Sequence, residues 1–526
     1  MGSTGNEIPT PPPEGGSYTR ISPAQAAADA IPILVDDTYH LFHLTTPPFT
    51  RHHPQRLRSC WWRMRSKNLV DWTRDDEPSV KPGESATSPD ADGAWTGAAV
   101  LGPDGNMNIF YTGYSLSQGG KQVILRARSQ DRHGGKFQQP GSEISFSGDG
   151  RSKLEDIDFR DPYVFYNEAE SQYWMIIASR LASGPFWSRG CVALLKSTDL
   201  DTWTFEPEPL YSPNDMFCPE CPELFTLPNG KWYLVYSRFH APDSGTVYRV
   251  ADSPYGPFRV PRDGSNGRLD GRRWYAAKSC PKAGDPSRRI FFGWIGDYVE
   301  DEGKWLWGGD FGVPREVSAD EKGNLRITTV SEVEQLFDET SAAVPPKSVP
   351  SKLSLASLGS TMVTFPDLSV AEGRDILLRF DIRSCDAHSF GLVLHADSTQ
   401  KGHRLRFTPS SGDIYTITLL TDFPPLDDFW ADQYKLHLPR PVDGPELVRH
   451  DGVSLAGGVT VFLKGTLLEV FCGGRSISFR FPVSVPATPE LAAADNGRLG
   501  WFVEDGEVEL SDVSIRHGGL ISKTCM

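Results

Sequence analysis

The sequence predicts an all-β protein of two domains, a five-bladed β-propeller followed by a β-sandwich. Three observations predict it. Strands rich in aromatic and β-branched residues recur at 39–42 (YHLF), 108–112 (NIFYT), 173–177 (YWMII), 232–236 (WYLVY) and 290–294 (IFFGW). Their spacing of about 55–70 residues leaves room for one four-stranded blade each. A turn signature, Ser-x-x-Leu-x-x-Trp, stands at 66–72 and again at 197–203, with a weaker relative at 252–258. After a Pro- and Ser-rich break the pattern changes to alternating strands of a sandwich type, at 375–381, 390–394, 459–463, 468–471 and 499–503.

In chain order, residues 1–24 read as a flexible lead, polar and rich in Pro and Gly. Residues 25–341 carry the five repeats. Residues 342–352 (AAVPPKSVPSK) form a linker, and 353–526 form the sandwich. No long amphipathic helix is predicted. A chain of 526 residues exceeds one ordinary core, and its 50 Gly and 42 Pro supply the turns that short strands need.

A net charge of -15 argues against nucleic acid or an anionic membrane as partner. A neutral sugar fits that balance, and a homo-oligomer stays open. No apolar run approaches the length of a membrane span. Residues 1–16 show no basic stretch followed by an apolar one, so a cytoplasmic protein is expected, with secretion by another route left open. Eight cysteines are too few to staple a scaffold of this size. Cys218 and Cys221 form a lone CxxC without a second pair or spaced His ligands, so two thiols beside a site are expected and no metal. His40 and His43 fall on opposite faces of a strand, which makes them poor joint ligands. The basic stretch 51–65, with His52, His53 and five arginines, reads as a solvated loop and strand edge. There is no Gly-rich phosphate loop and no nucleophile elbow, and no cofactor is implied.

Two motifs carry chemistry. Asp161 lies between Arg160 and Pro162, where Pro fixes the backbone and Arg can hold a carboxylate or a hydroxyl by paired hydrogen bonds. Glu220, beside Cys221 and Pro222, lies near Met216, Phe217 and Phe225, apolar surroundings suited to a general acid; Glu223 is its local competitor. Two fixed carboxylates are what acid-catalysed cleavage of a glycosidic bond needs. Taken alone, each also fits a turn or loop carboxylate.

These motifs, in order, resemble the RDP and EC(P) motifs of glycoside hydrolase family 32, the β-fructofuranosidases, invertases and inulinases. Trp95, Thr96 and Gly97, followed by Tyr111, Thr112 and Gly113, are similar to that family's aromatic-Ser-Gly and Tyr-Thr-Gly blocks. Residues 274–278, 289–294, 307–309 and 313–316 resemble its closing blade. The resemblance implies a glycosidase acting on a terminal β-fructofuranosyl residue, by hydrolysis or transfer, with no cofactor. It makes Glu220 the acid/base, Asp161 the stabiliser of the transition state with Arg160 bonded nearby, and Trp95, Thr96 and Trp307 the lining of the sugar pocket.

The departure is at the nucleophile. The family's Trp-x-Asn-Asp-Pro-Asn-Gly block corresponds here to residues 26–32 (AAADAIP), where Asp29 alone is acidic. The Asn partner becomes Ala28, and the Gln after the first strand becomes Leu44. The offset of Asp29 resembles the opening of the related family 43 arabinanases and xylosidases. Three readings stay open. Asp29 is the nucleophile of a retaining enzyme, about 5–5.5 Å from Glu220; or it is the base of an inverting furanosidase, about 6.5–9.5 Å away; or the protein binds a sugar without cleaving it.

Overall fold

The alternation of aromatic and β-branched residues builds antiparallel strands that lie side by side in five groups. A computed structural model describes residues 18–22, 25–46, 58–139, 143–239, 244–299, 304–341, 352–369, 375–396, 402–421, 446–481 and 498–518. The inner strands are Ala27–Val35, Gly93–Leu101, Leu154–Asn167, Glu220–Thr226 and Trp274–Lys282. Each pairs antiparallel with the strand that follows it, and successive inner strands touch one another around a central channel. The strand Lys304–Phe311 pairs with Asp285–Val299 of the fifth blade and, at Gly309, with Ala27 of the first. That double pairing hydrogen-bonds the last blade to the first and closes the ring.

The repeated turn signature has a physical basis. The Ser66 hydroxyl accepts the Leu69 N–H at 2.9 Å, and the Trp72 indole donates to the Leu69 carbonyl at 2.9 Å. The second copy repeats this with Ser197, Leu200 and Trp203, at 2.8 and 3.1 Å. Leu69 and Leu200 sit at φ 64° and 68°, which a branched side chain adopts only when its surroundings hold it there. The Ser hydroxyl and the Trp indole do so, and both leucines are buried. The weaker copy makes a different turn, closed by the bridge between Val250 and Arg259.

Two parts differ from expectation. Residues 18–22, assigned by sequence to the lead, are packed: Tyr18 and Ile21 are buried, and Arg20 pairs with Asp297 at 2.7 Å and Asp310 at 2.5 Å. A helix, Ser331–Ser341, follows the last blade and buries Val333 and Phe337, one turn apart. Among its described side chains two are fully buried and Leu336 packs partly against the core, a short apolar stripe that left little periodicity to read. Of the expected linker, 342–351 lie outside the described residues.

The C-terminal domain is a β-sandwich. Its strand Arg498–Gly518 pairs with Ser389–Ala396 by its first half and with Asp375–Cys385 by its second. The sheet thereby folds over on itself. Phe380 meets Trp501 at 4.8 Å and Phe407 at 5.9 Å between ring centres, so aromatic rings fill the interior.

A buried polar knot joins the two domains. Arg315, fully buried, donates to Asp270 at 2.7 Å, Glu469 at 3.1 Å, Ser476 at 2.9 Å and Ser478 at 2.5 Å. Its guanidinium lies 3.7 Å from the centre of the Trp274 ring. Burial opposes the Asp270 charge, but Arg315 and the serines outweigh it and hold that carboxyl below its ordinary value. Arg315→Leu strands two carboxylates in the interior. A stability loss on the order of 3–5 kcal/mol is expected, read as a lower urea midpoint.

Candidate active site

Every inner strand carries a β-bulge at the same end of the channel. The register slips at Asp29, at Thr96, at Asp161 and Pro162, at Cys221 and Pro222, and at Ala276 and Ala277. Asp29, Asp161, Cys221 and Ala276 have positive φ, 34°, 58°, 50° and 48°. A bulge re-aims side chains and breaks pairing. Repeated around a propeller, it turns five strand ends towards one point. Pro162 and Pro222 suit such positions because they bring no N–H to leave unpaired. Gly97 is required after Thr96, since a Cβ there would lie 1.8 Å from the Phe110 carbonyl oxygen.

The pocket at that point is lined by Asp29, Leu44, Trp95, Arg160, Asp161, Glu220, Cys221, Tyr275 and Trp307. All three predicted carboxylates are there, each nearly buried, at 9 % exposure for Asp29, 4 % for Asp161 and 8 % for Glu220. They come from blades one, three and four.

Asp29 is fixed by two donors, the Thr96 hydroxyl at 2.6 Å and the Trp294 indole at 2.9 Å. Burial is the main force on its carboxyl and pushes it up from 3.8 to about 6; Thr96 and Trp294 pull back, while the Asp161 and Glu220 charges push further. Asp161 accepts the Cys221 N–H at 2.8 Å, and its own N–H donates to the Thr112 hydroxyl at 2.8 Å. Thr112 in turn donates to the Thr96 carbonyl at 3.0 Å within blade two, so the Asp161–Thr112 bond ties that blade to blade three. Glu220 accepts from Arg160 at 2.9 Å and from the Tyr275 hydroxyl at 2.5 Å. Arg160 also pairs with Asp158 at 2.5 Å, while its nearest approach to Asp161 is 3.9 Å. The arginine therefore holds the Glu220 carboxylate more directly than that of its sequence neighbour.

Trp95 and Trp307 line this pocket, Trp95 stacked on Tyr114 with ring centres 4.1 Å apart. Thr96 is corrected: it is buried behind Asp29 and positions that carboxylate rather than lining the pocket. Tyr275 and Trp294 were missed. Both belong to blade five, distant in sequence from the groups they hold, and an aromatic residue in a β-rich chain reads first as core. Leu44 lines the pocket as an apolar wall.

Glu223, the competitor of Glu220, is fully buried and pairs with Arg289 at 2.9 Å and with the Ser279 hydroxyl at 2.7 Å. It lies further along its strand, away from the pocket. A second cavity of about 260 Å³ opens along the channel there, between Leu34, Leu101, Tyr166 and Arg289.

Cys218 and Cys221 are buried free thiols, and burial pushes both well above the ordinary value. His40 stacks on His133, while His43 receives Arg74 at 3.0 Å; both are buried and pushed down to about 3, burial being the first cause. Arg63 is corrected from a solvated edge to a buried residue, paired with Asp75 at 2.6 Å and donating to two backbone carbonyls. His52 and His53 lie outside the described residues. Among the described residues no group of His, Cys, Asp and Glu is placed to hold a metal.

The raised Asp29 carboxyl gives a pH prediction. In the nucleophile role proposed below, Asp29 must be ionised, so kcat/KM is expected to fall below about pH 6, with an acid limb set by Asp29. A pH–rate profile checks it, and Asp29→Glu is expected to move that limb.

Comparison with known proteins agrees with this geometry. The family model for the glycosyl hydrolases family 32 N-terminal domain matches residues 30–329. The matched span begins one residue after Asp29, which fits the departure of the Ala-rich stretch around it. A relative, beta-fructofuranosidase insoluble isoenzyme CWINV1 of Arabidopsis thaliana, is 26% identical over 332 residues, covering 58% of this chain and 54% of the relative. The beta-fructofuranosidase cell wall isozyme of Zea mays is 24% identical over 338 residues, covering 58% and 53%. The chain spans about half the length of the curated relatives it matches. Among solved structures, sucrose-6-phosphate hydrolase from Lactobacillus gasseri superposes with a TM-score of 0.68 at 16% identity, covering 97% of this chain and 94% of that one. Fructan 1-exohydrolase IIa from Cichorium intybus gives 0.66 at 16% identity, covering 98% and 99%. These structures share the propeller-plus-sandwich fold. With the family match spanning residues 30–329 of 526, more than half its length, the chain belongs to glycosyl hydrolases family 32.

Proposed function

We propose that the protein cleaves a terminal β-fructofuranosyl residue from a fructoside by a retaining double displacement. One observation carries the reading: three carboxylates, on or next to the bulges of three different inner strands, converge on one pocket with a single guanidinium among them. In the first step Asp29 attacks the anomeric carbon and Glu220 gives its proton to the departing oxygen. In the second, Glu220 takes a proton from water, which attacks the same carbon and frees Asp29. Asp161 receives hydrogen bonds from sugar hydroxyls, which strengthen as positive charge grows on the ring. Arg160 and Tyr275 hold the Glu220 carboxyl in place for both proton transfers. An acceptor sugar in place of water turns the same second step into transfer.

The relatives support the substrate class. The chicory exohydrolase has been solved with 1-kestose and a Bombyx mori β-fructofuranosidase mutant with sucrose. Incubation with sucrose, 1-kestose, inulin, levan and an aryl arabinofuranoside tests the reading. Fructose release from at least one fructoside supports it. Release only of arabinose, or of no sugar, overturns it.

A further inference from the structure

Beyond the pocket, the third blade raises an aromatic surface that the reaction described so far does not use. Its second strand, Gln172–Leu181, pairs with the site strand so that Ala178 faces Arg160 and Leu181 faces Leu154. Leu181 is three residues past the level of Arg160, about 10 Å at the usual rise of a strand. The loop that follows, through Gly184 and a short turn at Phe186–Ser188, therefore stands above the rim at the end where the pocket opens. Phe186 and Trp187 on this loop are 50 % and 44 % exposed.

These rings are braced. Phe186 and Trp187 meet edge to face at 4.9 Å, and both pack on Phe217, at 5.4 and 5.6 Å. The Arg180 guanidinium lies 4.4 Å from the centre of Phe186 and 3.8 Å from that of Phe217, and donates to the Phe186 carbonyl at 2.7 Å. Arg180 pairs with Glu155 at 3.0 Å and Asp158 at 3.2 Å, and Arg189 pairs with Glu155 at 3.1 Å, so each guanidinium behind the rings is already held by a carboxylate. The surface offered is apolar and neutral, suited to the C–H faces of a sugar rather than to an anion.

Its position selects which sugar. Phe217 lies three residues before Glu220 on the same segment, so the rings stand on the side of the acid. Glu220 gives its proton to the leaving oxygen, so the leaving group departs on that side. The fructosyl ring itself belongs between Trp95 and Trp307. At about 10 Å from the level of Arg160, the aromatic surface meets the second or third ring of a longer leaving group.

We infer that Phe186 and Trp187 form a stacking platform for the leaving-group sugars of an oligosaccharide substrate, an inference that rests on the fructosidase reading. The test uses the full chain and its variants Trp187→Ala, Phe186→Ala and Trp187→Phe, each first checked for an unchanged melting temperature. The readout is the ratio of kcat/KM for an inulin-type tetrasaccharide to kcat/KM for methyl β-fructofuranoside, whose leaving group is too short to reach the platform. The alanine variants are expected to lower that ratio about ten-fold, mainly through KM, and Trp187→Phe to restore most of it. Should an alanine variant fail to fold, titration of the tetrasaccharide into Glu220→Gln, followed by tryptophan fluorescence with and without Trp187→Phe, reads the same contact. A ratio within two-fold of the parent in an active enzyme, or no Trp187-dependent signal, overturns the platform alone. A parent chain that releases fructose from no fructoside overturns the fructosidase reading and the platform with it.

Discussion

Asp29→Asn is expected to lower kcat by at least about 10⁴-fold while making the protein more stable at neutral pH. The loss follows from the nucleophile role proposed for it, because an amide does not form the glycosyl ester. The gain follows from burial. A carboxyl raised from 3.8 to about 6 in the folded state binds its proton more tightly there than in the unfolded chain. Stability from that proton is present below about pH 4 and is lost as pH rises through about 6. At neutral pH the ionised, buried carboxylate costs on the order of 3 kcal/mol. Asparagine removes that charge and keeps both partners, its oxygen accepting from Trp294 and its amide donating to the Thr96 hydroxyl. Thermal melts at pH 4 and pH 7 check the sign: the variant's advantage grows with pH. A residue that merely shaped the fold would not lose activity and gain stability together.

Glu220→Gln is expected to cost about 10²–10⁴ in kcat on natural fructosides. The amide oxygen accepts from Arg160, and the Tyr275 hydroxyl turns to accept from the amide, so the local structure is kept. The loss depends on the leaving group. Fructosyl fluoride, which leaves without a proton, is expected to react in the first step at a rate near that of the parent, whereas sucrose is not. Stopped-flow measurement of fluoride release separates the two steps. Equal losses on both substrates contradict the acid role.

The fold was legible where one local rule repeats. Five aromatic strands and two Ser-x-x-Leu-x-x-Trp turns mark blades because the same serine and tryptophan hydrogen bonds hold the same left-handed leucine in each copy. Asp161 and Glu220 were legible for a related reason. Each lies within two residues of a proline at a bulge, Pro162 or Pro222, so the residues that re-aim the carboxylate are close to it in sequence. Asp29 lacks such a neighbour, and its identification needed an offset from the first strand. Its partners Thr96 and Trp294, and the Tyr275 that holds Glu220, come from other blades. Only ring closure brings them together, and no local pattern announces that. Thr96 was misread as lining for this reason, since a hydroxyl beside a pocket tryptophan points in or away according to the bulge. Arg63 was misread because a run of arginines looks solvated until one of them finds Asp75 and two carbonyls in the interior.

The retaining mechanism through Asp29 is open to direct observation. Cleavage of an active fructoside in methanol-containing buffer lets methanol compete with water for the fructosyl enzyme. Two displacements at the anomeric carbon restore its configuration, so methyl β-fructofuranoside is expected by NMR, and its formation is lost with Asp29→Asn. Methyl α-fructofuranoside as the product, or the β product formed undiminished by Asp29→Asn, contradicts the assignment of Asp29 as nucleophile.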